Sequence, residues 1–251
     1  GEVVQNNDAE TFYYKHGLSI TRLSKTKKGR RFNFNHNLDI NNRYNDYMSE
    51  SDISYLYPVV FDSVYAQLRK ERIPRTDATI SFNYSEPLNK NFTLRVGGRY
   101  EYSKLNNAVS TFNRSNGNEK FDVLNTLLSS DFRRVSNRFI FNPGLEYKWK
   151  DLAITPGIRL LQQNVNNRLV TTSIDLKQNQ FDVLPTFSIV YKQLSFNYSK
   201  DVNLPGFNSL NPVTDISNPY FISKGNPNLL SSKRNNFSIN YNFNDAKRFI
   251  Y

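Results

Sequence analysis

The amino-acid sequence predicts an all-β fold, an antiparallel up-and-down membrane β-barrel segment of roughly nine or ten strands. Three observations lead to this prediction. The apolar residues are largely aromatic, with 16 tyrosines and 19 phenylalanines among 251 residues, which favours strands over helices. Hydrophobic residues recur with a period of two, and short connections alternate with long ones along the chain.

Residues 92–103 show the period of two most clearly, because apolar and polar side chains alternate through the whole segment. Successive side chains of a strand point to opposite faces, so one face meets an apolar medium and the other meets water. The length also matches the roughly 9–11 residues of a tilted membrane strand. The same alternation predicts strands at residues 32–40, 80–84, 139–149, 152–160, 183–191, 194–198 and 237–243.

Two neighbouring predicted strands carry a proline on their apolar face, at Pro143 and Pro156. Proline has no N–H to donate to a β-ladder. We therefore expect bulges, strand ends or local gaps in pairing at these two positions.

The connections between the predicted strands fall into two classes that alternate. A membrane barrel places short periplasmic turns on one rim and long extracellular loops on the other. The long connections could extend the strands beyond the membrane or contain short helices. Short connections are predicted near residues 25–30, 87–90, 149–151, 192–193 and 244–247, and long ones near 42–76, 104–136, 163–181 and 200–235.

The net charge of +11 raises the question of a nucleic-acid partner. We predict none, because basic residues outside residues 25–31 are scattered singly along the chain. The run at 25–31 is typical of a solvated hairpin turn that touches lipid phosphates at the membrane rim. The sequence thus favours a membrane surface over a nucleic acid.

Residue types exclude most catalytic and metal chemistry. The absence of cysteine removes disulfides, thiolate metal sites and cysteine nucleophiles. No nucleophile–base arrangement is visible, so we predict no enzyme, no catalytic residue and no cofactor. His16 and His36 flank the first short turn, but a metal site would need further ligands, and we predict no metal site there.

Specific motifs carry a resemblance to a known family. Residues 84–88 read YSEPL, and residues 198–207 read YSKDVNLPGF, followed by LNP at 210–212 and GNPNL at 225–229. These segments resemble the barrel of TonB-dependent receptors of the Bacteroidetes type. The sequence departs from the family pattern at Lys200, where an arginine is common.

The resemblance implies a location in the bacterial outer membrane, with outer-membrane lipid as a partner. It further implies that residues 1–251 are a partial barrel domain, without the N-terminal plug domain and the C-terminal closing strands. The implied function is energy-dependent uptake of a bulky nutrient, such as a glycan, a peptide or a metal chelate. The protein's own plug domain, the TonB system and a surface lipoprotein would be its partners. A non-transporting structural or adhesive barrel and a soluble β-rich binding domain remain alternatives.

Charged residues on the predicted lumen face are the candidate site. We expect these residues to line the ligand path or to contact a plug domain. The alternative is a structural role, in which their charges balance one another inside a water-filled barrel. Tyr220 and Phe221, in the long loop at 201–228, are candidates for ligand contact. The lumen-facing candidates are Arg95, Arg99, Glu101, Arg138, Glu146 and Arg159.

Overall fold

The computed structural model describes residues 2–55, 61–115, 120–171, 173–210, 215–218, 221–226 and 228–242. Ten strands form one antiparallel sheet, in which almost every strand pairs with its neighbours in sequence. The predicted up-and-down topology and the strand number are therefore confirmed. The strands of this sheet, in spatial order, are β1 (Glu2–Leu23), β2 (Arg31–Tyr55), β3 (Phe61–Pro87), β4 (Phe92–Arg114), β6 (Ser130–Trp149), β7 (Leu152–Leu169), β8 (Ile174–Tyr191), β9 (Leu194–Asn203) and β12 (Ser232–Tyr241), with β5 (Phe121–Leu124) paired to β4.

The remaining elements lie between β9 and β12. They are the four-residue helix α1 (Phe207–Leu210) and a two-stranded ribbon of β10 (Asp215–Asn218) and β11 (Phe221–Ser223). Among the described residues, no helix has the length and apolar character needed to cross a membrane. Within the same residues, β1 and β12 are the two edges of the main sheet, which is open.

The connections that the sequence predicts to be short lie at one end of the sheet, whereas the four-residue connection between β7 and β8 lies at the other end. They span residues 24–30, 88–91, 150–151 and 192–193, as the sequence predicts, while the predicted turn at 244–247 lies outside the described residues. Lys150 and Lys192 open the two-residue turns with φ of 51° and 52°. Positive φ at this position matches the turn twist to that of the flanking strands.

The predicted long connections at 42–76, 104–136 and 163–181 are wrong in extent, because strands extend into each of them, which is one of the two alternatives expected for these connections. The region 42–76 shows this most clearly. β2 and β3 have 25 and 27 residues and pair along their whole length, so most of this region is strand. Its side chains do not alternate cleanly, but cross-strand ion pairs such as Arg72 with Asp46, at 2.6 Å, accompany the ladder. The strands thus continue beyond the roughly 9–11 residues that a bilayer requires.

One face of the sheet, here called the apolar face, collects the apolar members of the alternating segments. The strand register aligns them in rows across the strands, and ring pairs such as Tyr100 with Phe139, with centroids 4.6 Å apart, join neighbouring strands. Phe139 remains 52% exposed, as expected of a surface that meets lipid. One row runs from β1 to β8 through Ile20, Phe34, Phe82, Gly98, Phe141, Leu160 and Val183.

Pro143 and Pro156 interrupt pairing as predicted, without changing the register. Between β6 and β7, Gly144 pairs with Gly157, but the positions on either side, all described, lack ladder partners around Pro143 and Pro156. Pro185, for which no gap is predicted, lies one residue beyond Thr186, where the pairing of β8 with β9 ends. Missing N–H donors thus produce local gaps and the end of one ladder.

After Ser199, β9 no longer pairs with β8, and its last residues leave the plane of the sheet. They lie over the opposite face, here called the polar face. Val202 of β9 is buried with Leu161 of β7 and Leu184 of β8, and Ile140 of β6, the register partner of Leu161, packs against this cluster. Arg134 of β6 donates a hydrogen bond to the carbonyl oxygen of Pro205, two residues after the end of β9, although a flat sheet with a strand spacing of about 4.8 Å would keep β9 far from β6. The end of β9 must therefore fold inward, and β12 accompanies it through residues 232–235.

Candidate functional site on the polar face

The six charged residues predicted on the lumen face form three ion-paired groups on the polar face. The first lies near the short connections, where Arg95 of β4 is paired with Glu146 of β6. Lys148 lies 3.0 Å from the same carboxylate. The Glu146 side chain is only 8% exposed, and two cations compensate its charge.

The second group joins Arg99, Glu101 and Arg138. Glu101 and Arg138 are direct cross-strand partners in the register of β4 and β6. The Glu101 carboxylate lies 2.7 Å from Arg99 Nε and 3.4 Å from an Arg138 terminal nitrogen. Two guanidinium groups share one carboxylate, so this part of the face carries a positive surplus. The buried Nε of Arg138 has no hydrogen-bond partner among the described residues.

The third group ties the sheet to the segment that folds over it. Arg159 of β7 is paired with Asp201 of β9. Asn236 of β12 donates its side-chain amide to the other Asp201 oxygen, at 2.6 Å. Both strands of the folded-over pair are thus anchored to the polar face at Arg159.

A polar hollow of about 310 Å³ lies between the polar face and the folded-over segment. On its wall, Arg134 of β6 donates a hydrogen bond to the Pro205 carbonyl oxygen, at 3.1 Å. Burial lowers the pKa of the Arg134 guanidinium, which still stays protonated. The hollow suits a polar ligand with acceptor oxygens, because arginine and amide donors surround it. Its lining residues are Glu101, Ser103, Arg134, Ser136, Arg138, Gln163, Val202, Asn203 and Leu204.

The hollow brings together only two of the six predicted residues, Glu101 and Arg138. Sequence reasoning missed Arg134 and Asp201. Arg134 lies on the polar face by simple alternation with Arg138, so the pattern could have identified it. Asp201 has no such signal, because its position follows from the inward fold of β9.

The other candidates do not join this site. Tyr220 lies outside the described residues, and Phe221 belongs to β11, where only its backbone is described. His16 and His36 are close, with ring centroids 5.7 Å apart, but they lie among the apolar-face rows. The described residues contain no group of three or more potential metal ligands.

Comparisons with known proteins show the family of the chain. A family model described as "Outer membrane protein beta-barrel family" matches residues 24–251. No curated protein matches the sequence. Among solved structures, the unliganded ferric citrate transporter FecA is similar with a TM-score of 0.41 and 11% identity, over 70% of this chain and 28% of the transporter's. The chain therefore spans less than a third of that transporter's length. Since the family model covers most of the sequence, the chain belongs to the outer membrane protein β-barrel family and resides in the bacterial outer membrane.

Proposed function

We propose that the chain forms part of the wall of a TonB-dependent transporter of the Bacteroidetes type, which takes up a bulky nutrient. The observation that carries the proposal is the donor-rich hollow on the polar face, opposite the apolar face. A barrel with a merely structural role needs balanced charges inside, whereas Arg99 and Arg138 share one carboxylate and leave donors for a ligand.

In this proposal, Arg134 and Arg138 bind the ligand in the hollow. Arg95, Arg99 and Arg159 line its route through the barrel or contact a plug domain. Glycans, peptides and metal chelates all present the acceptor oxygens that such arginines bind. The plug domain, the TonB system and a surface lipoprotein would be partners in the complete protein. The prediction that the chain is not an enzyme remains a prediction.

The first experiment identifies the nutrient. A gene deletion is compared with its parent strain during growth on single glycans, peptides or ferric chelates at limiting concentration. We expect one class to require both this gene and the energy-coupling system. Growth that depends on neither, across all three classes, would remove the transport proposal and leave the non-transporting barrel.

The second experiment tests the arginines with that nutrient. We expect Arg134→Ala and Arg138→Ala to raise the half-saturating concentration for uptake about tenfold, the effect of losing a charged hydrogen bond to the ligand. The matched control is Arg133→Ala, because Arg133 neighbours Arg134 but is paired with Asp131, at 2.8 Å, and is exposed. Unchanged uptake in Arg95→Ala, Arg99→Ala and Arg159→Ala would remove these three residues from the ligand path.

A further inference from the structure

The four short connections form one continuous rim, here called the short-turn rim (residues 22–31, 86–91, 149–151 and 191–193). Glu86 binds Lys27 and Arg30 of the first turn, at 2.6 and 2.7 Å. Asn91 and Lys148 exchange two hydrogen bonds of 2.7 Å, and the Lys192 N–H donates to the Asp151 carbonyl oxygen. Each turn is thus fixed to the next.

This rim concentrates the positive charge of the chain. It contains nine lysines and arginines but only two carboxylates, Glu86 and Asp151, whereas the whole chain has 33 basic and 22 acidic residues. Each of the four turns carries at least one lysine. The basic residues of the rim are Arg22, Lys25, Lys27, Lys28, Arg30, Arg31, Lys90, Lys150 and Lys192.

The cations of the rim lie beside apolar surface. Lys150 lies 5.0 Å from the ring centre of Trp149, and Lys192 lies 5.5 Å from that of Tyr191. Both rings are at least half exposed, and so is Leu88. Aromatic girdles of this kind mark the interface of a membrane barrel, where headgroups begin.

The first turn presents cations that are not neutralised. Glu86 is occupied by Lys27 and Arg30, and Gly29, with φ of 89°, shapes the turn. Lys25 and Lys28 stand exposed on this fixed loop and contact no carboxylate within the part of the chain that the structure describes. Two free ammonium groups on a rigid turn suit phosphate oxygens.

We propose that the short-turn rim binds anionic phospholipid headgroups, with Lys25 and Lys28 as the main phosphate ligands. The adjoining apolar face favours this partner over a soluble anion, because acyl chains and headgroup can be bound together. The other turns contribute single lysines along the same interface. The proposal depends on the outer-membrane location and not on transport.

The test reconstitutes the complete gene product in bilayers of phosphatidylcholine and measures its association with spin-labelled phosphatidylglycerol relative to spin-labelled phosphatidylcholine. We expect a preference for phosphatidylglycerol that weakens at 1 M salt, where screening is strong. The double variant Lys25→Gln/Lys28→Gln should lower the preference at least about fivefold.

Two matched variants separate the site from overall charge. Lys177→Gln/Lys224→Gln removes two exposed lysines outside the short-turn rim, one near the start of β8 and one after β11, and should leave the preference unchanged. Lys25→Arg/Lys28→Arg keeps both charges and should retain it. An equal association of both lipids with the wild type, or an equal loss in the Lys177/Lys224 control, would overturn the proposal.

Discussion

At the scale of the residue, Glu86 is the best-connected carboxylate of the described structure. It accepts hydrogen bonds from Arg30, Lys27 and Tyr84, which hold the pKa of Glu86 well below its usual range. A carboxylate with a lowered pKa stabilises the fold above the ordinary pKa of glutamate, near 4.3, and this stabilisation is lost as the pH falls below that value. The melting temperature should therefore decrease more steeply from pH 5 to pH 2 in the wild type than in Glu86→Gln.

At pH 7, Glu86→Gln should melt about 2 °C lower than the wild type in detergent, followed by circular dichroism. The matched control is Asp151→Asn, an exposed rim carboxylate that forms no ion pair within the described residues. It should melt like the wild type. Parallel pH profiles for the wild type and Glu86→Gln would contradict the assignment.

Residue-level prediction from the sequence is limited by register. Alternation assigns Arg95 and Glu146 correctly to one face, but their pairing depends on the register of β4 with β6. A slip of one residue would send each side chain to the other face. Asp201 shows the stronger limit, because its partner Arg159 lies two strands away.

At the scale of the element, the folded-over end of β9 depends on the burial of Val202, which is 3% exposed. Val202→Ala removes two methyl groups from contact with Leu161 and Leu184 and should destabilise this segment by about 1–2 kcal/mol. Amide hydrogens at 200–203 and 232–235 should then exchange faster, while the β6–β7 ladder keeps its protection. Amide exchange followed by mass spectrometry measures both.

The control for this prediction is Val190→Ala on β8, the same change at a valine that is 39% exposed. It should leave exchange at residues 200–203 unaltered. Equal exchange in the wild type and Val202→Ala would show that the cluster does not hold the segment. If Val202→Ala destabilised the whole chain, without a local increase in exchange at 200–203 and 232–235, Val202 would support the main sheet and not the folded-over segment.

Element-level prediction was best where the local chemistry is strong. Pro143 and Pro156 predict the gaps in pairing between β6 and β7, because a missing donor acts locally. For the extensions of β2 and β3, the sequence leaves strands and short helices open, because outside the membrane paired strands need no alternating side chains. The inward fold of β9 depends on contacts with three other strands, which periodicity cannot reveal.

At the scale of the whole molecule, alternation predicts the sheet and its two faces, because lipid imposes alternation on every strand that it contacts. The apolar residues of β4, from Phe92 to Tyr102, span about 25 Å at the tilt typical of membrane strands. Trp149, the single tryptophan, lies at the short-turn end of the apolar face of β6. It is therefore a natural probe of how the molecule sits in a bilayer.

We expect Trp149 to lie near the headgroups, since Lys150 packs over its ring and the turn begins at the next residue. In bilayers of brominated lipids, bromine near the carbonyl end of the acyl chain should quench its fluorescence more than bromine near the terminal methyl. The matched probe is Leu145→Trp in a Trp149→Phe background, four residues deeper on the same face and 39% exposed. Four residues along a tilted strand are about 10 Å of depth, so its quenching should be strongest with the deeper bromines. The same depth dependence for both probes, or no quenching of either, would contradict the placement of the apolar face in the bilayer.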